Sequence, residues 1–221
     1  MATMDDLQLR QDVLDELEWD PRLDARSIGV AIEDGIVTLT GRVSSYAEKT
    51  DADKTVKRVY GVRGVANELE VKLAATAERT DTDIARSAAT AIDWSASLPK
   101  DRIKVGVSKG WVTLDGDVDW QYQKRVAEDA VRDLTGVRGV TDKIVVNPST
   151  NAGVEDVRTK IEAALRRNAE LDAKKIEVDM TNGGVTLRGS VRSWVERDDA
   201  VNAAWSAPGV TNVVDLIRIQ P

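Results

Sequence analysis

One phrase occurs three times in this chain. GIVTLTGRV (35–43) returns as GWVTLDGDV (110–118) and as GGVTLRGSV (183–191), at spacings of 75 and 73 residues. That period is too long for a solenoid repeat and long enough for a small domain. A 221-residue chain would ordinarily form one or two domains. The repeat predicts three: 1–74, 75–149 and 150–221. Such small cores supply only about 3–5 kcal/mol each, so the units are expected to lean on one another or to form a homo-oligomer.

Each unit carries the same order of patterns. Leu7, Val13, Leu14 and Leu17 open the first with helical spacing. Ile84, Ala88, Ala91 and Ile92, then Val157, Ile161, Ala164 and Leu165, do so in the others. Asp81 and Asn151 stand where caps are expected. Leu23, Leu98 and Leu171 mark a polar link. Alternating apolar runs at Ile28–Ile32, Ile103–Val107 and Ile176–Met180 then predict strands. EDG, SKG and TNGG supply hairpin turns, and the repeated phrase is the second hairpin strand. Val37 and Leu39 face inward, while Thr38 and Thr40 need solvent or a neighbouring unit. Gly41, Gly116 and Gly189 interrupt that strand, as at a bulge or a close backbone approach.

A second helix is expected over Ser45–Val59, Trp120–Leu134 and Ser193–Ala207. GVRGV, GVRGV and GVTNV end it at Gly61, Gly136 and Gly209, and a last strand follows. Each unit therefore reads αββαβ. A right-handed crossover makes the third strand parallel to the second. The fold class is α+β: three tandem small domains, each a three-stranded mixed sheet with two helices on one face.

These residues resemble the BON domain, named after bacterial osmotically inducible and nodulation proteins. The resemblance rests on the G-x-V-x-L-x-G-x-V phrase and the later glycine turn, separated by 26 residues in all three copies. It implies a module associated with phospholipid or membranes, in members that are often periplasmic and stress-linked. The chain is similar to cytoplasmic members with three tandem units. One cytoplasmic group of the family senses potassium.

The composition narrows the chemistry. No Cys and no His are present, which excludes thiolate chemistry and imidazole ligands or bases. No metal site, cofactor or catalytic residue is expected. Ser, Thr, Lys, Asp and Glu occur without a nucleophile, paired-acid or phosphate-loop motif, so an enzyme is not expected. A net charge of −7 argues against nucleic acid as a partner. With no basic start before an apolar run, and no stretch of about 20 apolar residues, the chain is expected to be cytoplasmic or peripheral to a membrane. A removed signal would make it periplasmic.

Candidate contact residues fall into two groups. The composition has six Trp, three Tyr and no Phe. Trp111, Trp120 and Tyr122 gather in the middle unit, with Trp194 near the corresponding place in the third. Indole and phenol rings suit a membrane interface or a protein contact. Trp19 and Trp94, at equivalent first-helix ends, are expected to pack. Basic residues gather on the second helices and following turns: Lys54, Lys57, Arg58 and Arg63, then Lys124, Arg125, Arg132 and Arg138. They could dock an anionic phospholipid surface or, with interspersed acids, form a solvated ion-paired face. Gly35, Gly110 and Gly183 join the six glycines above as structural turn positions, or as amides able to cradle a phosphate. Asn67, Asp142 and Asp215 hold backbone amides or, in the sharper reading, a small cation. The expected function is a non-enzymatic binding protein at phospholipid membranes, linked to stress or envelope maintenance. The alternatives are a protein-interaction, oligomeric-assembly or chaperone-like module, and a small-cation sensor.

Overall fold

A computed structural model describes residues 6–148, 154–168, 175–181 and 183–220. Asn151 and Leu171 lie outside the described residues. The first unit comprises α1 (Asp6–Trp19), β1 (Ile28–Glu33), β2 (Ile36–Val43), α2 (Tyr46–Lys57), β3 (Gly64–Asn67) and β4 (Glu70–Val71). The second has α3 (Asp81–Trp94), β5 (Ile103–Ser108), β6 (Trp111–Val118), α4 (Gln121–Arg132) and β7 (Gly139–Val146). The third has α5 (Val154–Arg167), β8 (Ile176–Thr181), β9 (Gly184–Val191), α6 (Trp194–Trp205) and β10 (Asn212–Ile219).

In every unit the hairpin is antiparallel and the last strand lies parallel to the second, so each sheet is mixed. In the first unit the last strand is interrupted, and β3 and β4 pair with β2 in succession. Alternation along the repeated phrase puts Val37 and Leu39, Val112 and Leu114, and Val185 and Leu187 at zero exposure. Each pair sits in a separate core beneath the two helices of its own unit.

On the first helices the inward stripes are Leu9, Val13 and Leu17, then Ile84, Ala88 and Ile92, then Val157, Ile161 and Leu165. Leu7 is off the stripe and exposed. The cap of α3 is Thr80, whose hydroxyl accepts from the Asp83 amide, and not Asp81. The second helices begin one residue later than the sequence pattern suggests, because Ser45 and Ser193 are N-caps for the Glu48 and Glu196 amides. Trp120 occupies that position in α4, where Gln123 Oε1 accepts from the Trp120 and Asp119 amides instead.

Gly41, Gly116 and Gly189 mark close backbone approach and not a bulge. Each glycine is the last paired position of its hairpin, opposite Ile28, Ile103 or Ile176, and the register up to it has no slip. Their φ angles are 122°, 140° and 136°, and a Cβ would run into the carbonyl oxygen of Ser27, Arg102 or Lys175.

Candidate functional site

The second helices carry two stripes. Ala52 and Val56, or Ala127 and Val131, enter their own core. The other stripe (46, 50, 53, 54 and 57 in α2) recurs in α4 and α6, and the three stripes face one another. The first residue of each second helix meets the last turn of another. Trp194 packs against the core of the first unit, with Lys57 Nζ 5.0 Å and Arg197 Cζ 4.5 Å from its ring centre. Tyr46 packs against the core of the second unit, where Arg132 reaches back to Asp51 at 3.9 Å. Gln121 lies with Trp205 at the remaining joint, where Arg125 donates to Asn202 Oδ1 at 2.9 Å. Trp205 packs on both the third and second cores. Unit three thus meets one, one meets two, and two meets three. The joints reuse the same positions, so the units form a closed ring with approximate threefold symmetry.

Along its axis lies a cavity of about 720 Å³, lined from all three second helices. Lys54, Arg125, Glu128 and Asp198 line it, with the rings of Tyr46 and Trp205. Loss of hydration within the cavity pushes the Glu128 and Asp198 carboxyls above the usual carboxylate range. Burial likewise raises the Tyr46 hydroxyl.

The basic residues singled out from the sequence therefore form no single outward patch. Lys57 and Arg132 belong to the joints. Lys54 and Arg125 face the axis. Lys124 pairs with Asp142 at 3.3 Å, as Arg197 pairs with Asp215 at 2.7 Å in the third unit. Arg58 bonds Glu16 at 3.1 Å. Arg63 reaches the Asp34 carbonyl, and Arg138 comes within 3.9 Å of Glu78. Both lie along the hairpin glycines, Gly35 and Gly110. Asn67, Asp142 and Asp215 each accept from the amide two residues on. Among the described residues no group of three or more carboxylates is placed to hold a metal ion.

The glycine amides are engaged as well. Asp6 accepts from Asp34 and Gly35, and Asp81 from Lys109 and Gly110. These bonds hold the Asp81 carboxyl below its ordinary range. The hairpin turns of the first two units are thereby tied to the starts of α1 and α3, leaving no open phosphate cradle there. Gly183, Gly61, Gly136 and Gly209 also adopt positive φ in their turns.

Of the aromatic residues, Trp194 is in a joint, and Trp120 and Tyr122 border a shallow hollow beside Trp205. Trp111 lies on the outer sheet face against Gly139, half exposed, donating to Thr141 Oγ1 at 2.7 Å. Trp19 and Trp94 do not pack: they are 84% and 86% exposed. Helix geometry carried this signal. Each stands two residues past the last buried position, Leu17 or Ile92, which turns it about 200° away from the core. Arg167, also exposed, is their counterpart in the third unit. Equivalent positions of a threefold ring lie on the same side of it. No helix among the described residues is long and apolar enough to cross a membrane.

The chain is 31% identical over 147 residues to osmotically-inducible protein Y of Escherichia coli (strain K12), covering 64% of this chain and 72% of that protein. Among solved structures it aligns with CdsD, a structural protein of the type III secretion system of Chlamydia trachomatis, over 97% of this chain and 93% of that one, at 14% identity and a TM-score of 0.28. The C-terminal domain of CdsD aligns over 99% of this chain and all of that one, at 13% identity and a TM-score of 0.27. The BON domain model matches three times, over residues 5–72, 80–148 and 153–221, so the chain belongs to the BON domain family.

Proposed function

We propose that this protein is a non-enzymatic module that docks peripherally on phospholipid membranes, in a role linked to osmotic stress. The observation that carries the reading is the exposure of Trp19 and Trp94 on one side of the ring, with Arg167 at the third equivalent position. Indoles suit the boundary between headgroups and acyl chains. Glu18 and Asp93 precede the two tryptophans, so the indoles carry more of the attraction than charge does. Burying half of an indole's roughly 200 Å² at about 25 cal/mol/Å² contributes about 2–3 kcal/mol. Removing one should therefore weaken binding at least about tenfold.

Co-sedimentation with vesicles containing phosphatidylglycerol tests this. The parent protein should pellet with vesicles, and the double variant Trp19→Ala/Trp94→Ala should remain in solution. Retained binding by the variant would move the surface elsewhere; no binding by the parent protein would sink the membrane reading. A second reading, a protein-interaction module, is supported by the outer sheet face of the third unit, where Val214 and Leu216 are exposed on β10.

A further inference from the structure

We infer that the axial cavity is a binding site for a small organic zwitterion, a solute bearing an ammonium and an acid group on one short carbon frame. At about 720 Å³ the cavity falls within the size range of ligand pockets. Four basic and four acidic side chains line it, so the wall has no net charge to favour a simple cation or anion. The charges are not all paired with one another. Among the described residues, Lys54, Glu128 and Asp198 take no hydrogen bond or ion pair, although the field of Lys54 acts on Glu128. Glu128 is half-buried, while Lys54, Arg125 and Asp198 stay open to the cavity; the fields of Lys54 and Arg132 on Glu128, and of Lys57 and Arg197 on Asp198, only partly offset the hydration the two carboxylates lose. A zwitterion relieves both signs at once: its ammonium faces Glu128 and Asp198, its acid group faces Lys54 and Arg125. The rings of Tyr46 and Trp205 offer π faces for the ammonium end. A monovalent amine would meet Lys54 and Arg125 with no charge to offer them, and a bare acid would meet the two carboxylates.

The site is assembled from all three units, since Lys54, Glu128 and Asp198 each come from a different one. Its occupant therefore binds only the closed ring and stabilises it by mass action.

Binding is measured on the full chain by calorimetry and thermal melting, with 4-aminobutyrate and sn-glycero-3-phosphoethanolamine, each of one positive and one negative charge, as zwitterions and butylamine and butyrate as single-charge controls. The zwitterions should bind saturably and raise the melting temperature, and the controls should do neither at the same concentration. Glu128→Gln and Asp198→Asn should each weaken binding at least about fivefold. Both replace an unpaired charge by a neutral isostere, so the ligand-free melting temperature should hold or rise, separating lost binding from lost folding. A fourth arm uses phosphatidylethanolamine vesicles, whose headgroup has the same chemistry. Saturable binding of the free zwitterions assigns the site to a solute. A response to vesicles alone, no response to any probe, equal responses to the controls, or full affinity in both variants would overturn the proposal.

Discussion

At Gly116 the backbone of β6 runs so close to the Arg102 carbonyl that only hydrogen fits, and its φ of 140° lies where side chains are strained. Gly116→Ala should cost about 3 kcal/mol in chemical denaturation, and the same change at Gly106, with open space around it, much less. Charged residues pull the fold in opposite directions with pH. Hydrogen bonds from Arg22, opposed by burial, hold the Asp20 carboxyl well below the usual range. That contribution is complete above the ordinary aspartate pKa near ~4 and is lost as pH falls below it. Glu128 and Asp198 are raised, so the folded protein holds their protons more tightly than the unfolded chain does. Their penalty is full at neutral pH and is relieved as pH falls through the raised values. The melting temperature should therefore rise on mild acidification before falling in stronger acid, and Glu128→Gln should flatten the rise. A monotonic fall in the parent protein from neutral pH would contradict this.

Secondary structure was legible because each element carries its own local signal. The period-two run at Val37 and Leu39, the glycine turns and the helical spacing at Val13 and Leu17 act within one unit, and the threefold repeat reads each signal three times; Leu7, exposed where Leu9 is buried, was the one position of that stripe misplaced. Leu114 is fully buried in the second core; Leu114→Ala should cost about 2–5 kcal/mol, read as a lower denaturant midpoint. The face of α2, α4 and α6 that meets the axis was not legible in the same way. Its residues, Thr50, Asp53, Lys54 and Lys57 in α2, have the composition of a solvated helix surface. What separates a joint from a surface here is one residue per helix, Tyr46, Gln121 or Trp194, and a single aromatic at a helix start fits lipid, partner or neighbouring domain equally well. Trp19 and Trp94 were legible in principle, since the helical angle from Leu17 and Ile92 already turns them outward. A tryptophan is so commonly a packing residue that its type outweighed its position.

The whole molecule depends on joints that differ in strength. Chain connections run from the first unit to the second and from the second to the third, whereas the joint between the third and first is held by side chains alone. There Trp194 packs on the first core with Lys57 and Arg197 against its ring. Removing a packed Trp costs about 3–5 kcal/mol, a factor of about 10² to 10³ or more in the closure equilibrium. That is enough to offset the high effective concentration that tethering confers. Trp194→Ala should therefore open the ring and leave the three cores folded. Small-angle scattering would show a radius of gyration several ångströms above the roughly 17 Å expected for a compact chain of this length, with the circular dichroism of the parent protein. Gln121→Ala, at a tethered joint where Trp205 stays packed on both cores, should leave the radius unchanged. A compact Trp194→Ala variant of unchanged radius would show instead that the remaining joints suffice to hold three units together.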